Sequence, residues 1–138
     1  MKKSKPLRRS PLRRKARVKD KKSRKYLHDK ARKMFAKFIV LRDKGICFTC
    51  GKEGNQAGHF YHRDSLDFDE RGNNCQCVAC NYFRNGNPVV YAINLEKKYG
   101  HGIIQEHKQL GDKNKIWKTK ELEDLIVYYE KKIKRIER

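Results

Sequence analysis

The sequence predicts an α+β fold, and three observations carry that prediction. Apolar residues recur every three or four positions in two separate segments, one before and one after the middle of the chain. The middle itself is rich in Gly, Asn and Asp with isolated aromatics, a composition of short strands and loops. Four cysteines fall there into two matched Cys-x-x-Cys pairs. Helices should therefore flank a small strand-and-loop centre that its cysteines hold together.

The first helix is read from Leu27, Ala31, Met34, Phe35, Phe38 and Leu41, which share one face at helical spacing. It follows residues 1–25, a predicted disordered basic arm with fourteen Lys and Arg against one acid, Asp20. Within the arm Pro6-Leu7-Arg8-Arg9 is echoed by Pro11-Leu12-Arg13-Arg14, and Lys15 and Arg17 continue the charge. Proline blocks helix entry, and Arg8, Arg9, Arg13, Arg14, Lys15 and Arg17 suit contacts to phosphates. Residues 26–138 are then expected to form a single domain with its core at about 45–90.

Between the cysteine pairs a hairpin is predicted. After Cys80, residues 81–84 should begin a short helix, Gly86-Asn87-Pro88 should break it, and residues 89–99 should resume one that stops at Gly100. Residues 101–115 read as a loop-rich connection. The last helix places Leu122, Leu125, Ile126, Tyr129, Ile133 and Ile136 on one stripe, with Thr119 as its expected N-cap and basic residues where the helix dipole favours them. That stripe suits either a dimer interface or a bundle with the first helix.

Composition narrows the partners. A formal net charge of +20, from 36 Lys and Arg against 16 Asp and Glu, favours a polyanion, and nucleic acid comes first. No stretch approaches the roughly 18–20 apolar residues of a membrane span, and charge follows Met1, so a soluble cytoplasmic protein is expected. Five cysteines, four of them paired at Cys-x-x-Cys spacing, suit a reducing compartment and a metal better than disulfides.

Each Cys-x-x-Cys turn offers two thiolates to one tetrahedral ion, so Cys47, Cys50, Cys77 and Cys80 are expected to bind one structural zinc with no ligand position left open. The 26 residues between the pairs exceed the usual spacing of roughly 15–20, so the insert should carry more than a knuckle. Cys75 lies outside both pairs. At a strand spacing of two it shares a face with Cys77, as a buried thiol or as an exchanging ligand.

The insert holds Gly58-His59-Phe60-Tyr61-His62-Arg63-Asp64, and the second pair closes on Gln76-Cys77-Val78-Ala79-Cys80-Asn81. A neutral His59 can take a proton from water, and Arg63 can clamp a phosphate with its fork of donors. His62, three residues on, should point away from His59 if the strand continues. Trp117 should cap the core or stack on a base.

A His on a strand between two cysteine turns, followed by Asn at the start of a helix, resembles the HNH, or ββα-metal, nuclease core. The run from Cys47 to Asn87, with Gly58-His59, Gln76-Cys77-x-x-Cys80-Asn81 and Gly86-Asn87, resembles more closely the NinG/Rap recombination-protein family of bacteriophages. The basic Pro-Leu-Arg-Arg arm fits that likeness. The resemblance implies a structure-specific DNA endonuclease that cuts branched recombination intermediates such as Holliday junctions and D-loops in the host cytoplasm. It also implies a catalytic Mg²⁺ or Mn²⁺, His59 as general base, and Asn81 either orienting His59 or binding the ion. A homodimer and other recombination proteins are the further partners expected. Many HNH proteins carry an acidic metal ligand directly before the His, where this chain has Gly58, so the carboxylate must come from Asp67, Asp69 or Glu70. The alternatives are a non-catalytic zinc protein that binds nucleic acid and an interaction protein that has lost catalysis.

Overall fold

The computed structural model describes residues 23–138, so the arm residues Arg8, Arg9, Arg13, Arg14, Lys15 and Arg17 lie outside the described part. Four helices surround a two-stranded sheet: α1 (Arg24–Arg42), β1 (Gln56–His59), β2 (Asn73–Gln76), α2 (Pro88–Tyr99), α3 (Ile103–Gly111) and α4 (Thr119–Ile136). The α+β class expected from the sequence is the one observed.

Helix α1 begins at Ser23, whose Oγ accepts from the Tyr26 N–H at 3.2 Å and satisfies one of the free donors of the first turn. Its stripe buries Leu27, Ala31, Phe35, Phe38 and Ile39 against Leu122, Ile126, Tyr129 and Ile133 of α4, with Phe68 closing one end. Phe35 meets Tyr129 edge-on at 5.0 Å and Phe68 at 5.6 Å, the geometry that aromatic quadrupoles favour. Leu122, Ile126, Tyr129 and Ile133 of the α4 stripe thus pack within the chain, against α1, as a bundle requires, while Ile136 is exposed. Trp117 caps this core, with its ring perpendicular to Phe68 at 5.0 Å and its Nε1–H donating to the Asp64 carbonyl at 2.8 Å.

The hairpin pairs β1 with β2 antiparallel, Gln56 opposite Gln76 and His59 opposite Asn73. Residues 60–72 connect the strands and include one 3₁₀ turn, Asp64–Leu66. Ala57 of β1 packs against the α1–α4 core. The other side of the sheet meets α2, where the fully buried Tyr91 donates to the Gly58 carbonyl at 2.7 Å and accepts from Asn74 at 3.1 Å. Around Tyr91 lies a smaller apolar cluster of Leu95 and Ile103, with Phe48, Phe60 and Ile104 against it.

Three expectations need correction. Residues 101–115 contain helix α3, because its inward face is Ile103, His107 and Gly111, and a histidine and a glycine hide the stripe that burial would otherwise reveal. Lys118, not Thr119, is the N-cap of α4, and the Glu121 carboxylate reaches back to the Lys118 N–H at 2.9 Å. The turn after the second cysteine pair spans Ala79–Phe83 and ends as one wide turn in which the Arg84 N–H meets the Ala79 carbonyl at 2.9 Å. The break that follows is as expected: Asn85, Gly86 and Asn87 all have positive φ, and Pro88 then opens α2.

Candidate metal centre and active site

The two cysteine turns face each other across the end of the hairpin. The first is closed by Gly51 N–H to the Cys47 carbonyl at 2.9 Å and is tied to β2 by Phe48 N–H to the Cys75 carbonyl at 2.7 Å. The second starts where β2 ends, with Asn81 N–H bonded to the Cys77 carbonyl at 2.9 Å. The sulfurs of Cys47, Cys50, Cys77 and Cys80 all lie within 4.8 Å of one another, and those of Cys50 and Cys77 are 3.6 Å apart. A tetrahedral site with metal–sulfur bonds of about 2.3 Å sets its sulfurs roughly 3.8 Å apart, so this cluster could hold a metal ion such as zinc. Cys75 is fully buried but stands outside the cluster, and its N–H donates to Asp43 Oδ2 at 2.8 Å.

The surroundings favour thiolates. Gln76 Nε2 donates to Thr49 Oγ1 at 3.1 Å, which leaves the Thr49 hydroxyl proton free for Cys47 Sγ at 3.3 Å. Burial opposes ionisation of Cys47, yet the Thr49 hydroxyl and nearby backbone N–H groups outweigh it and bring the thiol down to about 6. At Cys50 the Lys52 N–H favours the thiolate, but burial and the three neighbouring sulfurs push the thiol up to about 12. The cluster therefore gives up its first proton readily and its last only when a cation takes its place.

His59 ends β1 on the face toward α1. It lines a cavity of about 360 Å³ with Arg32, Phe35, Ala36, Ala57, His62, Arg63, Asp64 and Asp67. Burial holds its imidazole below the usual value, helped by His62 and Arg32 and opposed by Asp67, so at neutral pH the ring is an unprotonated acceptor. The strand stops at His59, and the alternation expected for His62 stops with it: the two rings lie 5.4 Å apart on the same cavity. Arg63 is exposed at the rim, over the Tyr61 ring at 4.6 Å, with Nη1 donating to the His62 carbonyl.

Of the three candidate carboxylates, the structure brings only Asp67 to His59. Asp67 is 6% exposed, and both His28 Nε2 at 2.9 Å and Arg32 Nη2 at 2.8 Å meet its Oδ2, leaving Oδ1 as the oxygen for a further ligand. Asp69 accepts from the Arg71 and Gly72 N–H groups and orders the approach to β2, and Glu70 pairs with Lys132 at 2.8 Å. An acid at position 58 would have to displace Gln76, since a Cβ there overlaps its side-chain amide, which is buried and bonded to Thr49 and Gly86. Asn81 is not brought to His59. Its amide donates to Gln56 Oε1 at 2.9 Å, at the opposite end of β1 and about 10 Å along the strand.

The full chain, residues 1–138, matches the family model described as Bacteriophage Lambda NinG protein. The chain belongs to the NinG family. Similar curated proteins, each named protein ninG, come from Salmonella phage P22 at 32% identity, Escherichia phage 933W at 30% and Escherichia phage lambda at 29%. Each aligns over 120 residues that cover 82% of this chain and 58–59% of the relative, so this NinG chain spans well under two thirds of their length. No solved structure matches it. No helix among the described residues is long and apolar enough to cross a membrane.

Arg32, His28 and Asp64 line or brace the cavity without standing out in the sequence. A signal existed for the first two: they stand at i and i+4 on α1 beside the apolar stripe, a polar pair where a purely structural helix has no need of one. Arg42 does not stand out either. It joins the end of α1 to Asp43, to the carbonyls of Glu70 and Asn73, and to Asn74 Oδ1 at 2.7–3.0 Å, and so fixes β2 against the helix.

Proposed function

We propose that this NinG-family chain is a metal-dependent DNA endonuclease that cuts branched recombination intermediates, Holliday junctions and D-loops among them. The observation that supports it best is the convergence of His59, Asp67, Arg32 and Arg63 on one cavity, at one end of the strand whose other end meets the cysteine turns. Phosphodiester hydrolysis needs an activated water, a cation on the phosphate and stabilisation of the departing oxygen. His59 takes the proton from water. Asp67 Oδ1 offers a hard oxygen to Mg²⁺ or Mn²⁺, which supplies charge neutralisation at the phosphate and the leaving oxygen. Arg63 binds a non-bridging phosphate oxygen, and the basic arm adds phosphate contacts. Zinc held by Cys47, Cys50, Cys77 and Cys80 does no chemistry in this reading and fixes the hairpin that carries His59.

Asn81 acts in this reading from the far end of β1, by tying the second cysteine turn to Gln56 rather than by touching His59. A second reading, a zinc protein that binds nucleic acid without cutting it, draws support from Asp67, whose charge is already answered by Arg32. The test incubates wild type and His59→Ala with labelled four-way junction, D-loop and linear duplex, with Mg²⁺, with Mn²⁺ or without added divalent ion. Cleavage by wild type that needs the ion, prefers branched DNA and drops at least a hundredfold in His59→Ala is the expected result. The rate should rise with pH through an apparent pKa below 6.5, since the free imidazole is the active form. Binding without cleavage under every condition leaves the non-catalytic reading standing.

A further inference from the structure

The second cysteine turn displays two aromatic rings that no core uses. Tyr82 is 72% exposed and Phe83 is 74% exposed, and neither belongs to the two apolar clusters. Their rings meet at 89° with centroids 5.1 Å apart. Each such ring carries 150–250 Å² of mostly apolar surface, and a chain with only 37% hydrophobic residues has every reason to bury it unless a partner covers it.

The turn beneath the rings is anchored on several sides. Cys80, one residue before Asn81, is fully buried in the cysteine cluster, and the Asn81 amide is tied to β1. Bonds from Arg84 N–H to the Ala79 carbonyl and from Gly86 N–H to the Cys80 carbonyl, both 2.9 Å, close it on the other side. The chain then turns through three consecutive residues of positive φ, Asn85, Gly86 and Asn87, just after the exposed rings. Rings held this way lose little freedom when a ligand arrives.

Charge says what that ligand is. No Asp or Glu occurs between Glu70 and Glu96, and Arg84 follows the rings directly, so the segment that carries them repels cations and accepts a polyanion. Aromatic faces within such a surface stack on bases whose own faces are free, which a continuous duplex does not offer. Because the two ring planes are perpendicular, bases lying on them are splayed rather than stacked on each other, as at the point of a branch.

We propose that Tyr82 and Phe83 form a stacking platform for unpaired bases of branched or single-stranded DNA. The proposal rests on the DNA-binding part of the function argued above and supplies the source of its preference for branches. The test uses the full chain without added divalent ion, so that binding is read apart from cleavage. Wild type, Tyr82→Ala/Phe83→Ala and Tyr82→Phe are titrated into a four-way junction, a single strand and a linear duplex, with 2-aminopurine at the junction point as a stacking reporter.

The affinity for junction and single strand should fall roughly 5- to 150-fold for each ring removed, most in the double variant, where the 2-aminopurine signal change should be lost. Duplex affinity should change less than twofold and the salt dependence should stay the same, because no phosphate contact is removed. Tyr82→Phe should bind as wild type does. Equal losses on all three DNAs, or none, overturn the proposal, as does a double variant that keeps its junction affinity but shifts from dimer to monomer in sedimentation. The single replacements Tyr82→Ala and Phe83→Ala carry the test if the double variant does not fold. Cleavage of the same junction in Mg²⁺ is measured in parallel: a protein that binds through the rings yet never cuts sinks the nuclease reading alone.

Discussion

The α1–α4 pair and the cysteine-clasped hairpin lie side by side but are held by different physics. Between the helices the contacts are apolar: Phe35, Phe38, Ile39, Leu122, Ile126 and Ile133 interdigitate, and each is at least 94% removed from solvent. In the hairpin the buried side chains are Asn73, Asn74, Gln76 and Cys75, and what holds them is a network running from Arg42 and Asp43 through Asn74 to Tyr91. Apolar packing tolerates small errors and costs nothing to specify chemically. A polar core must satisfy every donor, and it keeps its shape only while its anchor points hold. That makes the hairpin the region where a precise site can be built and also the region most easily lost.

Removing the zinc proposed for the cysteine cluster should separate the two regions most sharply. Chelation, or Cys77→Ala, is expected to unfold residues 47–91 while α1 and α4 stay paired, because the polar hairpin then loses the link between its two cysteine turns, and structural zinc sites contribute about 10–16 kcal/mol in isolated peptides. Amide hydrogen exchange checks this: protection should vanish across the hairpin and persist in α1. Retained protection in both regions would mean that the polar network needs no clasp.

Phe35→Ala strikes the opposite side. Loss of its contacts to Phe68 and Tyr129 should cost about 3–5 kcal/mol, read as a lower denaturant midpoint, with the metal content of the folded protein unchanged. A simultaneous loss of metal would show that the hairpin borrows its stability from the helices.

A smaller effect should come from pH. His107 is fully buried against Gly72 with both ring nitrogens unpartnered, and burial holds its imidazole below the usual value despite Asp69 at 3.5 Å. The unfolded chain therefore binds the proton more readily, so stability is complete above about pH 6.5 and declines as pH falls below it toward the lower folded value. Urea midpoints at pH 7.5 and 5.5 should show that decline, and His107→Gln should flatten it. An unchanged slope in that variant would move the acid sensitivity to His59, which is shifted in the same direction, or to the cysteine cluster, where the Cys47 thiol is held down to about 6.

Most of the apolar region is legible in the sequence, because a helix that buries one face must repeat its apolar residues every three or four positions. Leu27 to Leu41 and Leu122 to Ile133 obey that rule and lie where it puts them, whereas Ile136, in the last turn of α4, is 42% exposed because no described residue packs over the helix end. The cysteine cluster is legible for a related reason: a Cys-x-x-Cys turn has few ways to point its sulfurs, and two such turns in one small domain converge. Helix α3 escaped because His107 and Gly111 fill its inward face. His62 was misplaced because strand alternation was carried one turn past the end of the strand.

By itself, then, the sequence determined the α+β class, the two long helices and the gathering of four cysteines that could hold a metal, since each follows from local spacing and composition. Only the tertiary structure decided that Asp67, not Asp69 or Glu70, shares a cavity with His59, that α4 packs Leu122, Ile126, Tyr129 and Ile133 on α1, and that Tyr82 and Phe83 stand clear of any core. These depend on which surfaces meet across tens of residues, and no local pattern records the partner of a side chain whose contacts come from another part of the chain.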